Sequence, residues 1–290
     1  MASPSGARPK LAVIGHVEWV RFARVEKVPA AGEIVHATGP FEEPAGGGAV
    51  AAVQLARLAG RCTLITALGE DKHGRGAVAR LNQLGVEVRV AWRASEPTRT
   101  AVTLVDGEGE RTIVTFGARL EPTGADDGLR WAELAKMDAV YFTAGDGRAL
   151  RAARAAKILV ASPRAIDALG RDVAVDGLVL SEDDALERAE AAESGAEANA
   201  GLVVRTEGAR GGIFRTSTGK QGSWPAAPPP GAAVDSYGCG DSFAAGLTFG
   251  LGAGMSVEDA LGLAARCGAV CLTGRGPYEA QLSAADIADA

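Results

Sequence analysis

Residues 233–246 of the chain read Ala-Val-Asp-Ser-Tyr-Gly-Cys-Gly-Asp-Ser-Phe-Ala-Ala-Gly, a glycine-rich turn that runs into a helical pattern over 242–251. Glycine at 238 and 240 lets the backbone approach a ligand closely, and the unpaired N–H groups of a helix N-terminus attract anions. A carboxylate in this turn, Asp241, would lie beside a bound phosphate, where it could accept a proton from an attacking hydroxyl. The alternative is that Asp241 only caps the helix and the glycines only make the turn.

Two common nucleotide-binding motifs do not account for this turn. No GxxxxGK[ST] sequence occurs in the chain, so the turn is not a Walker A loop. The Rossmann fingerprint requires a third glycine at position 243, where the sequence has phenylalanine, and it belongs near the start of a domain rather than near the C-terminus.

On both sides of the turn, short apolar runs alternate with helical patterns. The apolar runs cover 10–15, 61–68, 139–143, 157–161, 177–180 and 201–206, and the helical patterns cover 49–58, 76–84, 147–156 and 183–198. Short apolar runs bounded by glycine or polar residues are typical of parallel strands that are covered on both faces. The alternation therefore predicts an α/β fold with a doubly wound, mostly parallel sheet flanked by helices.

Two segments break the alternation. Residues 98–116 read TRTAVTLVDGEGERTIVTF, which predicts a β-hairpin, and the stretch after the first strand is β-prone without a clear helix. We expect lid segments at about 17–38 and 97–117 to form a small β-sheet over one edge of a single domain, 10–290. Residues 1–9 are expected to be a disordered tail.

Composition and charge exclude several classes of protein. The 290 residues are 47% hydrophobic, and 30 basic against 36 acidic residues give a net charge of −6 without a basic stripe. We therefore expect no nucleic-acid partner and no membrane partner. The N-terminus has no apolar signal region, so the expected location is cytoplasmic. The four cysteines form no CxxC pair and the three histidines lack zinc-site spacing, and Cys267 and Cys271 are predicted to be buried on one helix face.

Five stretches, in order, resemble the PfkB (ribokinase-like) carbohydrate kinase family. The sequence DSYGCGDSFAAG resembles the family's C-terminal signature DTxGAGDxFxAG. The other matches are Gly46-Gly47-Gly48 with the helix through 55–60, which resembles the GG motif; 68–74, the GxDxxG turn; 105–111, the lid hairpin; and 206–212, the nucleotide-side loop. Because the five matches span nearly the whole chain, it is identified as a member of this ribokinase-like family.

The resemblance implies a function and a set of site residues. The chain would be an ATP-dependent phosphotransferase that phosphorylates a hydroxyl of a sugar or related metabolite, with Asp241 as base and the amides of Gly238, Cys239, Gly240 and Asp241 as an anion hole. ATP with Mg²⁺ would be the donor. Asp235 would lie near the phosphates, and family members often bind a monovalent cation such as K⁺ at this loop.

The resemblance also assigns the nucleotide side and the assembly. Thr206, Gly208 and Gly211 would line the nucleotide, and 267–276 would border the adenine. The family implies a homodimer through the lid.

Two places depart from the family pattern. An N-x-x-E sequence that organises Mg²⁺ is replaced by Ser181-Glu182-Asp183-Asp184, which leaves Asp184 as the candidate metal residue, although the same residues also suit a helix N-terminus. On the acceptor side, Val20 and Val50 stand where the family usually has Asp and Asn.

His16, Glu18 and Trp19 could compensate for the two valines. Together with His16 and Glu18, the substrate candidates are Gly46, Gly47 and Arg99, with Arg164 as a further candidate anion contact.

Three alternatives stay open from the sequence. The enzyme could be a nucleoside kinase of the same family. The chain could instead be a catalytically weak ligand-binding or regulatory protein on the kinase fold, as the altered acceptor positions suggest. An unrelated α/β nucleotide-binding enzyme would lack the β lid.

Overall fold

A computed structural model describes residues 8–170 and 172–288, which form two sheets flanked by helices. The strands are β1 Leu11–Ile14, β2 Glu18–Arg24, β3 Thr38–Ala45, β4 Cys62–Gly69, β5 Val86–Arg93, β6 Thr100–Val105, β7 Arg111–Phe116, β8 Ala139–Phe142, β9 Ile158–Ala161, β10 Gly177–Ser181, β11 Leu202–Thr206, β12 Gly212–Thr216 and β13 Gln221–Trp224. The α-helices are α1 Gly47–Ala59, α2 Lys72–Gln83, α3 Gly147–Ala153, α4 Ala185–Ser194, α5 Cys239–Gly252, α6 Val257–Cys271 and α7 Ala284–Ala288.

Nine strands of the described residues make the main sheet, in the order β13-β12-β11-β10-β9-β8-β1-β4-β5. The ladders from β5 to β11 are parallel, and β12 and β13 add an antiparallel edge. The chain starts in the middle with β1, builds outward to β4 and β5, and then returns to place β8 on the other side of β1. This α/β, mostly parallel architecture confirms the predicted fold class.

The central strand β1 shows why the sequence forms a sheet that is covered on both faces. Its residues LAVI are all buried, and they alternate between two cores. Leu11 and Val13 pack with α1, α5 and α6, whereas Ala12 and Ile14 pack with α3 and α4. An apolar run without polar alternation is what such a doubly covered strand requires.

The second sheet, which we call the lid sheet, has the order β3-β2-β6-β7. β2 lies within the first predicted lid segment, and the β6–β7 hairpin lies within the second. β3 falls outside both, because Thr38–Ala45 (TGPFEEPA) contains two prolines and two glutamates and does not read as a strand. It is nevertheless paired with β2 over Glu18 to Arg24, as an edge strand where proline is tolerated.

The predicted N-terminal tail falls largely on residues 1–7, which lie outside the described residues. Within the described part of the chain, no helix is both long and apolar enough to cross a membrane. Cys267 and Cys271 are fully buried in α6, which confirms that prediction.

Candidate active site

The predicted catalytic and acceptor residues Asp241, His16 and Gly47 meet at the carboxyl ends of β1 and β8, where the order of the main sheet reverses. In open α/β sheets, ligands bind in the crevice at such a switch point. Asp241, in the first turn of α5, lies here beside His16 and Thr143, which follow β1 and β8 directly. The topology therefore brings together residues that are far apart in sequence.

Asp235 ties the glycine-rich loop to the rest of the molecule. Its Oδ1 accepts a hydrogen bond from the amide of Tyr237 at 2.9 Å, and its Oδ2 accepts one from the amide of Gly276, also at 2.9 Å. The residue is only 2% exposed. Both oxygens thus fix the backbone path that leads into α5.

Gly238 ends this loop and begins α5 in a conformation that only glycine adopts easily. Its φ is 85°, and a Cβ there would lie 2.9 Å from Cγ1 of Val50. The amide of Cys239 makes only a long bond of 3.4 Å to the carbonyl of Ser236. The amides of Gly240 and Asp241 belong to those that a helix N-terminus leaves without an intrahelical partner. The loop therefore points N–H donors at the space next to Asp241.

Gly47 makes room for the carboxylate of Asp241. A Cβ at Gly47 would lie 3.0 Å from Oδ1 of Asp241 and 3.4 Å from Oγ1 of Thr143. Burial raises the pKa of Asp241, and the cations Arg164 and Arg111 oppose this shift only in part. A carboxylate with a raised pKa is a stronger base, which suits proton abstraction near neutral pH.

His16 forms the wall of the site next to Gly46 and Gly47. A Cβ at Gly46, whose φ is 91°, would lie 2.9 Å from Nε2 of His16, so glycine is needed there too. His16 is 7% exposed, and its Nδ1 has no hydrogen-bond partner among the described residues. Burial, followed by nearby Arg119 and Arg164, lowers the pKa of His16 well below its usual value. The imidazole is therefore neutral and can serve as donor or acceptor to a hydroxyl.

Glu18 lies at the start of β2 on the face that the lid sheet turns towards the site. It is 5% exposed, and its Oε2 is 3.4 Å from Nε of Arg99. Burial raises the pKa of Glu18, and Arg99 opposes the shift. Val20, two residues further on the same face, is fully buried and apolar. Glu18, rather than position 20, thus supplies the acid on this strand.

Trp19 points the other way from Glu18. Its ring stacks on His73 of α2 with centroids 5.7 Å apart, and its Nε1 donates to Glu42. The structure therefore places Trp19 in the packing of the lid sheet and not in the acceptor site.

Three arginines, each beside a glutamate, surround the site. Arg164 donates through Nε to Glu187 at 2.6 Å. Arg119 lies 3.0 Å from Glu121, donates through Nη2 to the carbonyl of Thr143, and donates through Nη1 to that of Arg164.

The sequence interpretation missed Arg119, Glu121, Thr143 and Glu187. Their signal was weak, because each lies just beyond a strand or in a helix without a motif around it.

The lid hairpin contacts the glycine-rich loop directly. The amide of Ser236 donates to the carbonyl of Gly109 at 3.1 Å. Arg111, at the start of β7, donates to Oγ of Ser236, also at 3.1 Å. The turn of the hairpin and the loop before Asp241 are therefore one hydrogen-bonded unit.

The predicted nucleotide residues form a tight turn after β11. Thr206 donates to the carbonyl of Leu180 at 3.4 Å, and the amide of Glu207 donates to that of Gly211 at 2.8 Å. Gly208 and Gly211 have φ values of 55° and 89°. A Cβ at Gly211 would lie 2.1 Å from the carbonyl oxygen of Trp224, so this turn packs against the end of β13.

A groove of about 430 Å³ starts beside this turn. Its lining is mostly apolar: Phe214, the stretch 223–228, and Glu258, Leu261, Gly262 and Ala265 of α6. Trp224 stacks on Phe243, two residues after Asp241, with centroids 5.6 Å apart. The groove is lined by α6 residues that precede 267–276, the segment expected to border the adenine.

Asp184 caps α4. Its Oδ1 accepts from the amides of Leu186 and Glu187 at 2.9 and 3.2 Å. Glu187 is buried, and its second oxygen accepts from the amide of Ser181 at 2.8 Å. Within residues 8–170 and 172–288, no three His, Cys, Asp or Glu side chains are grouped so that they could hold a metal.

Comparison with known proteins places this chain in a family. The sequence model described as "pfkB family carbohydrate kinase" matches residues 8–284. A fructokinase of Klebsiella pneumoniae is 30% identical over 277 residues, which cover 82% of this chain and 88% of that protein. A ribokinase of Dictyostelium discoideum is 31% identical over 108 residues, and the chain spans 34% of its length.

Solved structures show the same fold. Arabidopsis thaliana ribokinase in complex with ribose and ATP matches with a TM-score of 0.75 at 20% identity, covering 97% of this chain and 98% of that one. A nucleoside kinase of Methanocaldococcus jannaschii matches with a TM-score of 0.73 at 16% identity, covering 98% of both chains.

Proposed function

The chain belongs to the pfkB family of carbohydrate kinases, and we propose that it transfers the γ-phosphoryl group of ATP to a hydroxyl of a sugar or related metabolite. One observation carries the proposal: the carboxylate of Asp241 stands at the N-terminus of α5, at the switch point of the sheet, next to His16 and Thr143. A base and an anion site in one place are what phosphoryl transfer to a hydroxyl requires.

In the proposed reaction, Asp241 accepts the proton of the acceptor hydroxyl as its oxygen attacks the γ-phosphorus. The amides of Gly238, Cys239, Gly240 and Asp241 receive the negative charge that develops on the transferred group. His16 and Thr143 would orient the acceptor, since the ring of His16 and Oγ1 of Thr143 lie with Oδ1 of Asp241 around Gly47, and each residue has a buried polar atom without a partner. On the same side, Glu18 would hold Arg99 through their ion pair. Gly46 and Gly47 would leave space for the acceptor, because they have no side chains.

The nucleotide would enter from the opposite side of the loop. The groove between Trp224 and α6 has an apolar lining that suits a purine base. From there the phosphates would pass Thr206 and the turn of Gly208 and Gly211 to reach the first turn of α5. The ribokinase complexed with ATP supports this donor.

Mg²⁺ would be bound mainly through the phosphates of ATP, as is usual for this ion. Asp184 is the nearest predicted carboxylate, and it would contribute its second oxygen while Oδ1 caps α4. The ion would neutralise phosphate charge.

Asp235 fits a structural task better than a direct ligand for K⁺, since each of its oxygens already accepts a backbone N–H. The expectation that a monovalent cation binds near Asp235 rests on the family resemblance alone.

Two further expectations belong to this proposal. A homodimer through the lid is supported by β7, an edge strand whose six residues are all exposed. The expected location is the cytoplasm.

A nucleoside is the second candidate acceptor. The likeness to a nucleoside kinase favours it, and so does the presence of Val20 and Val50 at positions where the family usually binds sugar hydroxyls.

The test is ADP release over a panel of pentoses, hexoses, sugar acids, sugar phosphates and nucleosides, for the wild type, Asp241→Asn and the control Asp127→Asn. Asp127 is exposed and distant from the loop. We expect Asp241→Asn to lower kcat by about 10²–10⁴-fold while ATP affinity, measured by calorimetry, persists. Normal turnover by Asp241→Asn would overturn the base assignment. Tight ligand binding without ADP release by the wild type would instead favour a ligand-binding protein on the kinase fold.

A further inference from the structure

The arginines around Asp241 differ in how many nitrogens the protein already uses. Arg119 is held by both terminal nitrogens, which donate to the carbonyls of Thr143 and Arg164. Arg164 donates through Nε to Glu187 at 2.6 Å. Nε of Arg99 lies 3.4 Å from Oε2 of Glu18 in an ion pair, without a hydrogen bond. In the described part of the chain, the terminal nitrogens of Arg99 and Arg164 make no hydrogen bond. Arg164 is thus held by a hydrogen bond through Nε and Arg99 by an ion pair alone, and both keep their terminal donors free.

Arg99 and Arg164 stand on opposite walls of the acceptor site. Arg99 precedes β6 and shares the inner face of the lid sheet with Ala101 and Thr103, which are buried. Arg164 follows β9 at the carboxyl edge of the main sheet. Both lie close enough to His16 to lower its pKa. A ligand that fills the space between them would touch the lid sheet and the main sheet together.

His16 and Thr143 also have polar side-chain atoms without a hydrogen-bond partner. Nδ1 of His16 and Oγ1 of Thr143 are buried without a hydrogen bond, although the two residues are 7% and 0% exposed. Unsatisfied buried polar atoms are costly, so a ligand that satisfies them binds well. By contrast, Val20 and Val50 are fully buried and offer a sugar hydroxyl nothing. On this side of the site, the arginines rather than these two positions offer hydrogen-bond donors.

Building on the phosphotransfer proposed above, we infer that the acceptor is an anion: a polyhydroxylated compound with a carboxylate or phosphate group bound between Arg99 and Arg164. His16 and Thr143 then orient the hydroxyl at Asp241. Guanidinium groups bind planar carboxylates and phosphates through paired N–H donors, which suits the free terminal nitrogens. Arg119 acts as a positioning residue, because it anchors the backbone of Thr143 and Arg164.

The glutamates make this corner stable before the substrate arrives. Glu18 and Glu187 balance the charge of Arg99 and Arg164, so the empty site does not hold two bare cations. A neutral sugar would leave the terminal donors unpaired inside a closing site, and sites with polar groups reject analogues that cannot pair them. The site would therefore select an anion because the terminal nitrogens of Arg99 and Arg164 lack acceptors, and not because the site carries a net positive charge.

The first experiment compares acids with their neutral partners: ribonate and ribose 5-phosphate with ribose, and gluconate and glucose 6-phosphate with glucose. ADP release gives kcat/KM for each, at one fixed ionic strength. We expect an anionic member to exceed its neutral partner by at least about 100-fold. Whether the carboxylates or the phosphates win identifies the anionic group. A neutral member that wins every comparison would overturn the inference and leave the kinase assignment standing.

The second experiment assigns the arginines. Arg99→Gln and Arg164→Gln should each lower kcat/KM for the preferred acid by about 10- to 100-fold, and Arg164→Lys should recover part of the loss. In both glutamine variants, the ratio of kcat/KM for the acid to kcat/KM for its neutral partner should also fall. A purely structural defect would lower both values and leave their ratio unchanged. Arg21→Gln is the matched control, because Arg21 lies on the outer face of β2 and pairs with Glu42. An unchanged ratio in both glutamine variants would overturn the assignment.

Calorimetry with a nonhydrolysable ATP analogue separates failure of the inference from failure of the proposed function. Binding of an acid without ADP release would contradict phosphotransfer and keep the anion site. ADP release with neutral sugars alone would contradict the anion site and keep the proposed phosphotransfer. If Arg164→Gln does not fold, because it strips buried Glu187 of its partner, Arg99→Gln decides the question.

Discussion

The loop that leads to Asp241 and the acceptor site that faces it treat their polar atoms in opposite ways. In the loop, both oxygens of Asp235 are bonded, and the hydroxyl of Tyr237 accepts from the amide of Gly46 at 3.3 Å. In the acceptor site, His16 and Thr143 keep buried polar atoms without partners. Under the proposed function, the difference teaches that the half assigned to phosphate is preorganised, whereas the half assigned to the acceptor would gain its missing hydrogen bonds from the substrate.

The largest expected effect comes from breaking the preorganised half at Gly238. In Gly238→Ala, a Cβ must fit at a φ of 85° and 2.9 Å from Cγ1 of Val50, so the amides before Asp241 will shift. We expect kcat to fall by about 10²–10³-fold, as when an oxyanion donor is lost. Steady-state kinetics give this value.

The control is Gly254→Ala. It has a φ of 77° and nothing within 4 Å of the added Cβ, so it should lower Tm by the same backbone strain and leave kcat near wild type. A normal kcat in Gly238→Ala would show that the loop does not depend on this conformation.

A smaller effect is expected at Gly47, where the two halves touch. Gly47→Ala places a Cβ 3.0 Å from Oδ1 of Asp241, and a displacement of the base by a fraction of an ångström should lower kcat/KM by about 10- to 100-fold. Stability should not fall, because alanine favours a helix over glycine by about 1 kcal/mol.

Gly147→Ala, at the start of α3, is the matched helical control, since its Cβ meets only the flexible end of Arg151 at 3.6 Å. Loss of folding rather than of activity in Gly47→Ala would contradict this reading of the contact.

Asp235→Asn tests how firmly the loop is held. The amide side chain can accept only one of the two backbone N–H groups, so a buried donor loses its partner. We expect a loss of about 2 kcal/mol in the free energy of unfolding and a Tm lower by about 4–8 °C, measured by calorimetry.

Asp106→Asn is the matched control for Asp235→Asn. Asp106 accepts both of its bonds, from Glu108 and Glu110, through Oδ1 alone, which asparagine retains. Equal losses in the two variants would show that the double tie at Asp235 adds nothing.

The smallest expected effect is on the pH dependence. Asp241 must be ionised to act as a base, and burial raises its pKa above the ordinary 3.8. The acid limb of kcat/KM should therefore lie at a higher pH than for an exposed aspartate, with activity lost as the pH falls through it. Arg164 opposes the shift, so Arg164→Gln should move the limb further up.

A pH–rate profile of the wild type, Arg164→Gln and Arg21→Gln checks this direction. A limb that moves down in Arg164→Gln would contradict the proximity of Arg164 to Asp241.

Much of the fold could be predicted because its strands carry their own signal. The apolar runs that became β1, β4 and β8–β11 are continuous, since both faces are buried. β5, β12 and β13 escaped prediction, because each exposes part of one face and mixes polar with apolar residues. β3 escaped because its pairing with β2 overrides a proline-rich local sequence. The local pattern of apolar residues indicates which segments are buried. It does not predict a strand that forms only because it pairs with another strand.

The candidate site divides in the same way. Asp241 and its glycines stand in one contiguous motif, so a single stretch of sequence predicts them. Arg119, in a loop, and Glu187, in α4, join the site only through tertiary folding, and no spacing connects them to Asp241. Asp184 illustrates what a motif leaves open, since residues 181–184 predicted both a metal residue and a helix N-terminus. The structure shows that Asp184 caps α4, and its metal binding stays a prediction.

The bond between Gly109 and Ser236 has a consequence for how the two substrates affect each other. Because the lid hairpin and the loop before Asp241 share it, any shift of the loop on nucleotide binding would also shift the lid. Thermodynamic linkage then demands reciprocity: the factor by which nucleotide changes affinity for the acceptor equals the factor by which acceptor changes affinity for nucleotide. Together with the bond from Arg111 to Oγ of Ser236, this backbone hydrogen bond would make the two binding equilibria one coupled system.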